Sequence, residues 1–319
     1  MKKVIIDNNN ANQRIDKFLI KYLPKAPKSF VYKLIRKKDV KVNGKKVNEN
    51  YITKLGDEVS IFLYEDKFQE FADKKDIRAL NIDFDVLFED ENILVVNKPA
   101  GLLVHEDNEK EFNTLSNQVL TYLEKKGEYH NTLENTFTPG PVHRLDRNTS
   151  GIVIFGKTLM ALQNLNEMMK IRNCIDKTYL TIVKGKIDHD LELIDHVTKN
   201  EKEGKMYITK DGLTMHTLVH PLEYNDDFSL IEVKIVTGRT HQIRVHMASI
   251  GHPVIGDSKY GDFKLNKEIK DQYHLNHQYL HAHKIRFTNP LGDLNYLMGV
   301  EVVCPLPQKL SKIKQEIFK

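Results

Sequence analysis

Arginine is scarce in this 319-residue chain, with 9 Arg among 48 Lys+Arg, yet four of the nine crowd into two short segments. Arg144 and Arg147 stand in Val142-His143-Arg144-Leu145-Asp146-Arg147-Asn148-Thr149-Ser150-Gly151, and Arg239 and Arg244 in Thr237-Gly238-Arg239-Thr240-His241-Gln242-Ile243-Arg244-Val245-His246. Lysine would serve for generic positive charge. These positions call for the planar, bidentate guanidinium that matches a carboxylate, a phosphate or a stacked base. The first segment holds one carboxylate, Asp146, among cations and just before a small polar turn. Taken alone it fits a structural Asp/Arg pair that fixes a loop. The second segment supplies a distant arginine to meet the aspartate, which shifts the balance away from that purely structural reading.

Other templates fit poorly. In the catalytic loop of protein kinases the aspartate follows the arginine directly, unlike Arg144-Leu145-Asp146, and neither a G-x-G-x-x-G loop nor a P-loop is expected. Ser150 lacks the G-x-S-x-G frame. His241 and His246 are five apart, not the four that puts two zinc ligands on one helical face, while His281 and His283 alternate on an expected strand. Cys174 and Cys304 form neither a disulfide framework nor a C-x-x-C pair, which suits a reducing cytoplasm. No metal or cofactor is expected, and the short apolar stretch after Lys3 makes no signal-peptide core.

The elements that carry these residues divide by charge. The total is +4, but residues 1–60 hold 15 basic and 6 acidic side chains, net +9, which leaves the remainder at −5. A basic module joined to a larger domain is expected, and such asymmetry suits a polyanion. Ile15, Phe18, Leu19, Tyr22 and Leu23 predict an amphipathic helix with Asn12 as N-cap. A second helix, with Pro27 at its first position, buries Phe30, Val31, Leu34 and Ile35 and gathers Lys33, Arg36 and Lys37 on its other face. Asn43-Gly44 predicts a two-residue hairpin turn, and Gly56-Asp57 precedes a closing strand. Residues 64–83 lose periodicity and read as a linker. Beyond them come a hairpin around 86–96, helices near 115–123, 160–169 and 241–250, and strands near 178–184 and 228–236. No βαβ repeat occurs, so an α+β domain with a mainly antiparallel mixed sheet is expected.

The basic helix, VNG hairpin and GD strand resemble the S4 RNA-binding domain over roughly residues 12–62. HRLDRNTSG, the preceding EDENILVVNKPAGLLVH, KTYL and GRTHQIRVHMASIGHPVIGDSKYG closely resemble the RluA-type family of pseudouridine synthases, in its RluC/RluD-like ribosomal branch, from about Phe84 to Phe287. The resemblance implies an S4-like domain at 1–63, a linker at 64–83 and a catalytic domain at 84–319. It implies Asp146 as nucleophile, Arg144 in the gap left by a flipped-out uridine, Tyr179 stacked on the target base and Arg244 paired with Asp146. Arg239 joins the RNA contacts, as do Lys33, Arg36 and Lys37 on the basic module. Lys98 and His105 keep a structural reading. The implied partner is RNA, 23S ribosomal RNA or its precursor, for a cytoplasmic monomer with no membrane and no obligatory protein partner. A tRNA-directed synthase, a nucleoside hydrolase or glycosylase, and a non-catalytic assembly factor stay open as alternatives.

Overall fold

The computed structural model describes residues 1–72, 80–106, 111–129 and 137–319. Its contacts divide the chain into two units, Met1–Ile82 with Ser116–Gly140 and Phe155–Gln163, and Asp83–Leu115 with Pro141–Ile154 and Asn164–Lys319. The chain thus passes between units at Ile82/Asp83, and two later segments group with the first unit. Within that unit the amide of Leu159 donates to Asn9 Oδ1 at 3.2 Å.

The first unit begins with β1 (Lys2–Ile5), α1 (Ile15–Tyr22), α2 (Lys28–Arg36), β2 (Val40–Val42), β3 (Lys45–Lys46), β4 (Glu58–Ile61) and α3 (Glu65–Ala72). Its sheet is antiparallel in the order β1-β4-β2-β3. The apolar stripes of both helices are buried, Ile15, Phe18, Leu19 and Tyr22 from α1 and Val31, Leu34 and Ile35 from α2. Asn43 and Gly44 have φ of 49° and 75°, the left-handed pair a type I′ turn needs. The side chain of Asn43 then ties the turn to the GD motif, because Nδ2 donates to Asp57 Oδ1 at 2.8 Å and Oδ1 accepts the Glu58 amide at 2.9 Å. This explains why the two motifs occur together.

Three local expectations change. The N-cap of α1 is Arg14 rather than Asn12, whose own backbone is left-handed and whose amide donates to the Thr53 carbonyl at 2.8 Å. Pro27 is the N-cap of α2, one place before its first turn. The expected linker at 64–83 opens with α3, because Phe68 enters the core and Phe71 packs on Phe30 with centroids 4.8 Å apart. Glu65 and Asp66 also suit the positive end of that helix. Residues 73–79 of the expected linker lie outside the described residues.

Next along the chain come β5 (Asp85–Glu89), β6 (Ile93–Lys98), α4 (Leu115–Lys125), β7 (Gly140–Pro141), β8 (Ser150–Gly156), α5 (Leu159–Lys170), β9 (Ile175–Lys184), β10 (Leu191–Asn200), β11 (Lys205–Thr209), β12 (Leu213–Tyr224) and β13 (Phe228–Ile235). They are followed by α6 (Gln242–Ser249), α7 (Phe263–Tyr273), β14 (Leu280–Phe287), a 3₁₀ turn (Gly292–Leu297), β15 (Glu301–Val303) and α8 (Gln308–Ile317). One sheet runs β11-β10-β12-β13-β9-β14-β8-β6-β5, with β15 on β14 and β7 on β8. The β8–β14 pair is parallel, and β9 pairs antiparallel with both β13 and β14. This is the α+β, mainly antiparallel mixed sheet expected from the sequence.

Gly151 opens β8 at φ 109°, and a Cβ there would lie 2.2 Å from the Ala282 carbonyl oxygen, so only glycine lets β8 meet β14. The letters of Gly151 to Thr158 do match a P-loop pattern, contrary to the sequence expectation. They form β8, buried along the whole strand between β14 and β6, and its immediate exit, rather than a loop that could wrap a phosphate. Among the described residues no helix is long and apolar enough to cross a membrane.

Candidate active site

Asp146 sits in the loop before β8, in an open hollow with about 400 Å³ of empty space that Arg144, Tyr179, Arg239, His241 and Arg244 also line. Its side chain is 27% exposed, enough to meet a ligand. Lys98 anchors the loop from the end of β6, where Nζ donates to the carbonyls of Pro99 and Leu102 at 2.8 Å each and of Arg147 at 2.9 Å. The Gly101 amide donates to the same Arg147 carbonyl at 2.9 Å. Burial pulls the Lys98 ammonium down to about 7, against the opposing charge of Asp146. Lys98→Met would take the ammonium donor from three carbonyls, of which Arg147's keeps the Gly101 amide, and we expect unfolding free energy to fall by about 1–3 kcal/mol, read from the denaturant midpoint.

Arg244 rises from the first turn of α6 and is 4% exposed. Its Nε and Nη2 bind Asp257 in a fork, at 2.6 and 2.8 Å, and its Nη1 reaches Asp146 Oδ2 at 2.8 Å. Asp257, fully buried, also accepts the amides of Lys259 and Tyr260 at 2.8 and 3.0 Å. Burial works to raise its pKa, but the hydrogen bonds and charge of Arg244, with those amides, hold it below the ordinary value. The carboxylate of Asp257 therefore stabilises the guanidinium, and its pKa rises despite burial. One arm remains for Asp146. Arg244 is thus a fixed, permanently charged post.

Tyr179 on β9 is 8% exposed at the hollow, and burial, then the charge of Asp146, push its phenol pKa upward. Gln242 shapes the turn before α6, accepting from the Thr237 hydroxyl at 2.8 Å and the Arg239 amide at 3.0 Å. Arg239 donates from Nε to the Thr214 carbonyl at 3.1 Å. Arg147 turns elsewhere, in a fork with Glu111 at 2.8 and 2.6 Å. His143 accepts the Ile154 amide at 3.2 Å and burial drives its pKa down to about 3, a structural role.

The structure therefore brings together five of the residues singled out from sequence, Asp146, Tyr179, Arg244, Arg144 and Arg239. Lys33, Arg36 and Lys37 belong to the first unit, exposed along the end of α2, with Lys37 as its C-cap. Three contributors escaped the sequence reading. Asp257 and Tyr260 stand inside the GDSKYG string, but nothing in their spacing from Arg244 marks a contact, and the spacing of His241 from His246 speaks only to a metal site. Among the described residues no cluster of His, Cys, Asp and Glu could hold a metal ion.

This geometry has relatives. The RNA pseudouridylate synthase family model matches residues 92–249, a span that includes Asp146, Tyr179 and Arg244, and the S4 domain model matches residues 13–59. An uncharacterised RNA pseudouridine synthase of Bacillus subtilis is 33% identical, covering 97% of this chain and 95% of that protein. The chain belongs to the RNA pseudouridine synthases. The ribosomal large subunit pseudouridine synthase C of Vibrio vulnificus is 32% identical over 98% of this chain and 96% of its own length. In fold, the chain is similar to human RNA pseudouridylate synthase domain containing 1, with a TM-score of 0.53 and 22% identity over 77% of this chain and 97% of that one.

Proposed function

We propose that the protein converts uridine to pseudouridine in the large-subunit ribosomal RNA, with Asp146 as the reacting carboxylate. The observation that carries this reading is a partly exposed carboxylate in an open hollow, held by one arm of an arginine whose other arms are committed to a buried aspartate. The ribosomal target follows from the relatives named for the large subunit.

The reaction breaks the C1′–N1 bond and joins C1′ to C5 of the same base. C5 loses a proton and N1 gains one, so nothing is donated and nothing is oxidised. Asp146 attacks C1′, or assists loss of the base as a base toward the sugar, while Arg244 keeps the carboxylate aimed. Tyr179 offers an aromatic face for the uracil, and its raised pKa keeps it neutral. Arg144, exposed at the rim, fills the place of the extruded nucleotide. Flipping costs a few kcal/mol, which stacking and backbone contacts offset.

In this reading residues 1–63 act as a handle on the RNA backbone, residues 84–319 as the catalytic domain, and Lys33, Arg36 and Lys37 as phosphate contacts. Such contacts give affinity that falls with salt and carries little sequence information. Changing all three to alanine should lower the slope of log affinity against log salt by about 2–3, at roughly 0.7–0.9 per phosphate. Pseudouridine yield at saturating RNA should survive. A variant with an unchanged salt slope would remove these residues from the RNA interface.

A further inference from the structure

His241 has no part in the reading above, yet three observations set it apart from an ordinary helix cap. Its backbone is left-handed, φ 55° and ψ 20°, a conformation that non-glycine residues rarely adopt and that gathers at functional sites. Its ring lines the hollow, with Nε2 3.8 Å from Asp146 Oδ2. Its other nitrogen, Nδ1, lies 2.8 Å from the Tyr260 hydroxyl, whose oxygen also accepts the Met206 amide at 2.7 Å.

Met206 donates to the Tyr260 oxygen, and Nδ1 is the acceptor within reach of that hydroxyl's own proton, so the tautomer that uses every donor sends the hydroxyl proton to Nδ1. The single ring proton of neutral His241 is then on Nε2, facing the hollow. The groups around the ring are Asp146, Arg244, Asp257, Lys259 and Tyr260. Burial opposes a second proton; Asp146 and Asp257 favour it, Arg244 and Lys259 oppose it, and the net pKa is lowered. Tyr260 touches both donors that face Asp146, since its ring meets His241 edge-on at 5.5 Å and carries the Arg244 guanidinium at 5.3 Å.

The Nε2–H is beyond hydrogen-bond reach of Asp146 Oδ2, which Arg244 already occupies. A different acceptor appears during the reaction. When C1′–N1 breaks, the bonding pair leaves with the ring, and negative charge spreads to its two carbonyl oxygens. We propose that His241 is a catalytic residue of this reaction, offering Nε2–H to a uracil oxygen while that charge develops, with Tyr260 as the positioning residue that fixes the donor. His241 gives a hydrogen bond and exchanges no proton. The proposal rests on Asp146 acting as described above.

The test uses the full-length protein under single-turnover conditions, following consumption of the target nucleotide in RNA made with uridine or with 5-fluorouridine. The fluorinated base leaves more readily and needs a donor less. His241→Ala should slow the uridine reaction about 100-fold, the scale of losing one such donor, with RNA affinity unchanged. On 5-fluorouridine RNA the deficit should shrink to about tenfold or less, within the same donor scale. His241→Gln, which restores an N–H near the Nε2 position, should recover part of the rate, and Tyr260→Phe should lose some. Equal deficits on both RNAs, or a glutamine variant no better than alanine, would overturn the proposal. Full activity in His241→Ala with an inactive Asp146→Asn would sink this proposal alone, whereas activity in Asp146→Asn would sink the reading beneath it.

Discussion

Asp146→Asn is expected to bind RNA nearly as well as the parent protein and to form essentially no pseudouridine, with a rate loss on the order of 10⁴ or more. The substitution keeps shape and removes the charge. At 27% exposure the amide costs little desolvation, and Arg244 keeps its fork to Asp257, so the fold should stand. A loss of that size corresponds to about 5 kcal/mol of transition-state stabilisation. No contact at the rim could supply as much. Rate and RNA affinity measured on the same preparation separate chemistry from binding, and a matching fall in both would place Asp146 in binding instead.

Arg244→Ala is expected to remove activity and to destabilise the fold by about 3–5 kcal/mol, because it strands the buried carboxylate of Asp257. The pH dependence gives the sign of the effect. In the parent protein Asp257 has a lowered pKa, so its contribution is present above the unfolded value, near 3.8, and fades as pH falls through the lower folded value. In the variant the cation is gone and burial dominates, so the folded pKa moves above the unfolded one. The native state then takes up a proton more readily, and the variant gains stability relative to the parent on acidification. Denaturant unfolding at pH 7 and pH 5 should show a smaller deficit at pH 5. An equal deficit at both values would mean that Asp257 is not the source of the cost.

Much of this was legible from short-range pattern. The stripe from Ile15 to Tyr22, the cations of α2 and the Asn43-Gly44 turn each depend on neighbours within a few residues, and each took the expected form. Asp146 and Arg244 were legible for a different reason, since arginine used sparingly stands out where it clusters. The rest depended on contacts that distance along the chain conceals. Only two aromatics, Phe68 and Phe71, mark α3, too few to show a period. Strands β10 to β12 mix His, Thr, Lys and Glu with apolar residues, so residues 195–212 carry no clear alternation that would mark a hairpin. Asp257 meets Arg244 across a turn, and His241 acquires its orientation from Tyr260 and a backbone amide that no local pattern announces.

If the protein makes pseudouridine in large-subunit ribosomal RNA through Asp146, both the modification and its dependence on that carboxylate can be read in one experiment. The most direct measurement is pseudouridine mapping of 23S ribosomal RNA from cells lacking the protein, before and after treatment with the purified parent protein or with Asp146→Asn. Specific pseudouridines missing from the untreated RNA are expected to appear with the parent protein and not with the variant. Their appearance with the variant, or their absence with the parent protein, would contradict this reading.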